Sequence, residues 1–161
     1  MATSEKRINK LPVSMKINGV IFEEYVEPRL LLSDFLRNLG FKGTHVGCEH
    51  GVCGACTILF NGEAVRSCLM FAVQADGAEI INAEKLSADG ELNDLQKAFR
   101  KHHALQCGFC TPGQEISATA LLAKNPHPTE EEIKIGMSGN MCRCTGYHGI
   151  IEAVKEIANQ E

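Results

Sequence analysis

The sequence predicts an α+β chain: a mixed sheet crossed by one helix, then a small all-helical unit. Three observations predict it. Alternating apolar and polar residues, the strand signal, occur only before about residue 85. Two Asn-Gly pairs in that half mark tight hairpins. Beyond it, apolar residues recur only at helical spacing, and both halves carry a set of four cysteines.

The elements follow in order. Residues 1–11 read as a flexible arm. Val13, Met15 and Ile17 alternate with polar positions as in a half-buried strand; Asn18-Gly19 turns the chain, and Val20–Val26 returns it. Leu30, Leu31, Leu32, Phe35, Leu36 and Leu39 have helical spacing, and Gly40 ends that helix. A cysteine loop follows. Thr57–Phe60, Asn61-Gly62 and residues 63–68 then form a second hairpin, whose return strand brings Cys68 back to the loop. A short strand is expected at Glu79–Ile81, which sets the units at 12–84 and 85–161.

In the second unit Leu92, Leu95, Gln96, Phe99 and His103 predict an amphipathic helix. Thr111 is the expected N-cap of the next, with Pro112 at its first position, running to about Lys124. Thr129 to Glu132 is a capping box. Ile150, Ile151, Val154, Ile157 and Ala158 stripe a final helix.

Composition excludes several functions. The 161 residues carry 16 Lys+Arg and 20 Asp+Glu, a formal net charge of −4, and lack the basic stripe of a nucleic-acid binder. Trp is absent and aromatics are 6%, which argues against a base-stacking platform. No apolar run approaches the ~18 residues of a membrane-spanning helix. Neither a Ser/His/Asp arrangement nor a Gly-rich phosphate loop is present, so no catalytic residue is assigned.

Eight cysteines demand an explanation. A disulfide framework needs an oxidising compartment, yet no secretory signal follows the N-terminal Met; the expected location is cytoplasmic. Structural zinc uses paired short knuckles, which neither set reproduces. Cys48, Cys53, Cys56 and Cys68 instead follow C-x4-C-x2-C…C, the plant-type [2Fe–2S] spacing. With Cys107, Cys110, Cys142 and Cys144, the thiols suffice for two binuclear clusters with none left over. Gly47, Gly51 and Gly54 suit a chain wrapped tightly around one of them. Cys107-Cys110 and Cys142-Cys144 both precede helices, whose positive ends would stabilise a negative cluster by about 0.3–1 kcal/mol each. Arg143, between two thiols, would add to that or lie in solvent. His50 reads as solvent-facing, and His102 and His103 as complements to a helix C-terminus.

Residues 47–57 (Gly-Cys-Glu-His-Gly-Val-Cys-Gly-Ala-Cys-Thr), Ser67-Cys68, Gln106 to Gly113 and Gly139 to Tyr147 together resemble the small iron–sulfur subunit of the molybdenum hydroxylases. This is the xanthine oxidase, aldehyde oxidoreductase and aerobic carbon monoxide dehydrogenase family. The resemblance implies a ferredoxin-like β-grasp domain followed by a four-helix bundle. It implies a large molybdenum–pterin subunit and a medium FAD subunit as partners, in a dimer of heterotrimers. Electrons would pass from the pterin site through both clusters to FAD. The substrate (carbon monoxide, an aldehyde, a purine or another N-heterocycle) would be oxidised in the large subunit. Gln106 would hydrogen-bond the pterin. Gln114 departs from the family's common Met, which puts the packing under its helix in question. Two other readings are a stand-alone ferredoxin-type carrier and a zinc-stapled interaction module.

Overall fold

The computed structural model describes residues 9–87 and 90–159. Most of the expected arm, residues 1–8, lies outside the described residues, and Leu11 already belongs to the first strand.

β1 (Leu11–Ile17) and β2 (Val20–Val26) pair antiparallel in register. Asn18 and Gly19 between them both have positive φ, +53° and +91°, the tight turn whose twist matches the strands. α1 (Leu32–Asn38) crosses the sheet. β3 (Thr57–Phe60) and β4 (Glu63–Arg66) form the second hairpin, and β5 (Glu79–Ile81) inserts parallel to β1 and antiparallel to β3. The strand order is β2-β1-β5-β3-β4. The return strand stops before Cys68. Both the N–H and the hydroxyl of Ser67 donate to the Cys56 carbonyl, at 3.3 and 2.8 Å, and bend the chain into a 3₁₀ turn over Ser67–Leu69. Cys68 therefore sits on that turn rather than on the strand.

Four helices follow: α2 (Asp94–Lys101), α3 (Thr111–Lys124), α4 (Glu130–Met137) and α5 (His148–Ala158). α2 packs on α5, α5 on α4, α4 on α3 and α3 on α2. The Thr129 box forms as expected, with Glu132 accepting the Thr129 N–H at 2.7 Å. α2 starts two residues later than its apolar spacing suggests. Asn93 accepts the Gln96 N–H, and Gln96 accepts the Asn93 N–H, which fixes the start there. Cys110, not Thr111, is the N-cap of α3, and the Thr111 hydroxyl is buried without a protein partner. Among the described residues, no helix is long and apolar enough to cross a membrane.

Two cores hold these layers. Val13, Met15, Ile17, Ile58 and Ile80 of the sheet close on Leu32, Phe35 and Leu36 of α1. Phe99, Ala118, Ile133, Met137, Ile150 and Val154 close the space between the four later helices. Each of these Val, Leu, Ile, Phe or Met side chains, fully buried, contributes roughly 1.5–3 kcal/mol. A third, smaller cluster joins them: Leu59 packs on Ile116 and Ala120 of α3. β3 is thus buried on both faces, Ile58 towards α1 and Leu59 towards α3. That seam places the N-terminus of α3, with Cys107 and Cys110, beside the first cysteine loop.

Candidate metal centres

The first four thiols are gathered by the loop between α1 and β3 and by the Ser67–Leu69 turn. The Cys53 N–H points at Cys48 Sγ, 3.4 Å away. Cys56 and Cys68 are buried, while Cys48 and Cys53 are half-buried. Gly47 sits in close approach: a Cβ there would lie 3.2 Å from Cys53 Sγ and 3.3 Å from the Phe109 ring.

The second four thiols lie at the start of α3 and in the turn before α5. Cys107 and Cys144 Sγ are 3.5 Å apart. All four line a cavity of about 180 Å³ with Phe109, Met141 and Arg143. The Thr145 N–H and the Thr145 hydroxyl both reach Cys142 Sγ, at 3.4 and 3.1 Å. The Cys142 N–H donates to the Tyr147 hydroxyl at 2.7 Å. Only Cys110 caps a helix directly. Cys142 and Cys144 are separated from α5 by the turn at Tyr147, whose φ is +68°. The expected helix-dipole stabilisation therefore acts on one thiol pair more than on the other. Arg143 is exposed.

The donors fit a four-thiolate group. Backbone N–H groups, first Cys53 and then His50, pull the Cys48 thiol down to about 6. Burial pushes Cys68 up to about 12, and the adjacent Cys56 thiol adds to the rise. Burial, then the Cys142 thiol, pushes Cys110 up to about 12. A metal bound at either set would displace the protons that burial favours on these thiols. No three His, Cys, Asp or Glu side chains among the described residues converge on one metal ion. The thiols approach two by two instead: Cys48 with Cys53, Cys56 with Cys68, Cys110 with Cys142, Cys107 with Cys144. Two thiolates on one tetrahedral metal at about 2.3 Å stand about 3.8 Å apart. The 3.5 Å between Cys107 and Cys144 is close to that. A binuclear cluster requires this pairwise grouping.

The remaining expected residues fall as follows. Gln106 is exposed, and its Nε2 donates to the Cys144 carbonyl at 3.1 Å. Gln114 is fully buried, with Nε2 on the Asn140 carbonyl at 2.9 Å. His50 is exposed, as expected. His102 pairs with Glu156 at 2.6 Å. Three residues escaped the sequence reading. His45 stacks on Phe109, with ring centroids 4.9 Å apart, and its Nδ1 meets the Phe109 carbonyl at 2.7 Å. Asn140 lies buried between the two cysteine loops. A bulky aromatic inside Cys107-Gly108-Phe109-Cys110 was the available signal for Phe109, and membership of the Gly139–Tyr147 motif was that for Asn140; His45 carried none.

Comparison with known proteins agrees with this geometry. A family model described as "2Fe-2S iron-sulfur cluster binding domain" matches residues 15–87, and one described as "[2Fe-2S] binding domain" matches residues 82–155. The chain is 52% identical to the nicotine 6-hydroxylase small subunit of Paenarthrobacter nicotinovorans, over 98% of this chain and 96% of that protein. It is 53% identical to the caffeine dehydrogenase subunit gamma of Pseudomonas sp. (strain CBB1), over 91% and 90%. The crystal structure of quinoline 2-oxidoreductase from Pseudomonas putida 86 superposes with a TM-score of 0.90 at 52% identity, covering 93% of each chain. With two [2Fe–2S]-binding domains and relatives of this kind along nearly its whole length, the chain belongs to the small iron–sulfur subunits of the molybdenum hydroxylase family, the electron-transfer rather than the catalytic part of an oxidoreductase complex.

Proposed function

We propose that the eight cysteines are the ligands of the two clusters, Cys48, Cys53, Cys56 and Cys68 for one and Cys107, Cys110, Cys142 and Cys144 for the other. Each cluster, when bound, takes up and returns one electron, relaying electrons from the pterin side at the second set to the FAD side at the first. The pairwise approach of the thiols is the observation that carries this reading. The ligand sets divide between a β-grasp unit, residues 12–84, and a four-helix bundle, residues 85–161. The packing of α2, α5, α4 and α3 in a closed ring supports the latter. Gln106, fixed through Nε2 to the Cys144 carbonyl, keeps its Oε1 for the pterin.

The chain's own residues prepare the two docking faces. Val52 and Leu69 are exposed beside the first set, Phe109 and Met141 beside the second. Apolar side chains at both sites suit contact with a medium FAD subunit and a large molybdenum–pterin subunit, in a dimer of heterotrimers in the cytoplasm. The substrate class is an N-heteroaromatic compound, because nicotine, caffeine and quinoline in the three relatives' names are all of that class.

The test is electron paramagnetic resonance of the dithionite-reduced chain with iron counted. Two S = 1/2 signals with about four iron atoms per chain are expected. Purification with its partners should yield molybdenum and FAD, and reduction by an N-heteroaromatic compound. One signal, or zinc in place of iron, would refute the assignment. Reduction by an aldehyde or carbon monoxide alone would refute the substrate class.

A further inference from the structure

The two cysteine loops meet at a buried polar knot centred on Asn140, which is 1% exposed. Every polar atom of this residue is engaged. Its Nδ2 donates to the Gly54 carbonyl at 3.0 Å and to Thr57 Oγ1 at 3.3 Å. Its Oδ1 accepts from Ser117 Oγ at 2.7 Å and from Arg66 Nη2 at 3.4 Å. Its N–H donates to the Met137 carbonyl at 3.1 Å, and its carbonyl accepts from Gln114 Nε2 at 2.9 Å. One side chain therefore ties the loop of Cys53 and Cys56 to α3 and to the segment entering Cys142.

The backbones here leave no room for adjustment. A Cβ on Gly54 would lie 2.5 Å from the Gly139 carbonyl oxygen and 2.9 Å from Asn140 Cα, and one on Gly113 would collide with the Gly54 carbonyl. Immediately beyond the knot, the Met141 N–H donates to the Cys53 carbonyl at 2.8 Å. Cys53 and Cys142, one thiol from each set, are thus joined by one hydrogen bond and a single intervening residue. Gln114 is fully buried although its Oε1 has no protein partner. An apolar side chain of that size would avoid this cost, so the Nε2 bond to Asn140 is what the amide contributes.

We infer that Asn140, clamped by Gln114, is a positioning residue that sets the separation of the two clusters and holds the Cys53–Met141 hydrogen bond through which they exchange an electron. The step is one electron: the cluster of the second set is oxidised, that of the first is reduced, and no covalent bond changes. This inference rests on the cluster assignment proposed above.

The test compares wild type, Asn140→Ala and Gln114→Met as iron-loaded full-length chains. It reads iron content, the two resonance signals, the magnetic splitting between them, and hydrogen exchange at the Met141 amide. In Asn140→Ala, iron and both signals should persist, the splitting should be lost, and the Met141 amide should exchange faster. Gln114→Met keeps the volume and removes only the clamp. It should shift both readouts the same way by less, and it carries the test should Asn140→Ala fold poorly. Unchanged splitting and exchange in a variant, with two signals in wild type, would overturn this inference alone. A wild type lacking two signals would overturn the cluster assignment and this inference with it.

Discussion

Gly54→Ala isolates the packing at the seam. Gly54 has φ +74°, and an added Cβ would meet backbone atoms of Gly139 and Asn140 that no side-chain rotation can move away. Gly62 is the control: its φ is +86°, and nothing lies within 4 Å of an added Cβ. At both positions alanine in the left-handed region costs about 1–2 kcal/mol. At both, a stiffer unfolded chain returns about 0.4–1 kcal/mol. These contributions cancel in the comparison. What remains is overpacking, about 1–3 kcal/mol, and only Gly54→Ala bears it. At about 2–4 °C per kcal/mol for a chain of this size, Gly54→Ala should melt about 2–12 °C below Gly62→Ala. The assay is thermal denaturation of the iron-loaded chains, followed by circular dichroism and visible absorbance together. Equal midpoints would show that the seam yields freely, and the close-approach reasoning would be wrong.

Three other perturbations have defined outcomes. Cys68→Ser and Cys110→Ser should each remove one of the two resonance signals and about two iron atoms, leaving the other signal in place; loss of both signals from either change would contradict two separate sites. Burial raises the Glu115 carboxyl from its ordinary value, against the lowering donation from Gln96. The stability tied to its protonated form is complete below the unfolded carboxylate value and is lost as pH rises through the raised one. Glu115→Gln should therefore match wild type at about pH 4 and exceed it at neutral pH; denaturant midpoints across that range check the sign, and a variant weaker at neutral pH would refute it. Tyr147→Phe takes the acceptor from the Cys142 N–H and should cost about 1 kcal/mol in denaturant unfolding; no change would mean that another acceptor replaces the hydroxyl.

Apolar exposure accompanies both sets of thiols. Each set of thiols lies near apolar side chains that remain exposed, Val52 and Leu69 on one side, Phe109 and Met141 on the other. Between the sets the hydrogen bonds come mainly from side chains, Asn140 to Gly54 and Thr57 and Arg66 to Gly139, with one backbone bond from Met141 to Cys53. The two cysteine loops are thus tied to each other by hydrogen bonds, while apolar side chains stay exposed beside each.

The sequence by itself determined what depends on neighbours along the chain. Asn18-Gly19 and Asn61-Gly62 specify their hairpins because the turn geometry resides in those two residues. Thr129 and Glu132 cap α4 because the partners are three residues apart. The cysteine spacing pointed to the proposed donors, because C-x4-C-x2-C places three thiols in one short loop; the fold then sets how readily each thiol gives up its proton. Tertiary structure decided which thiols pair, since Cys107 meets Cys144 across 37 residues and Cys56 meets Cys68 only because Ser67 bends the strand's end. It also decided that α3 covers the second face of β3, and from this follow the burial of Asn140 and the stacking of His45 on Phe109. The Asn140 and His45 contacts span more than 60 residues of chain. Neither hydrophobic period nor turn chemistry encodes them, because they exist only once the two cores have formed and been pressed together.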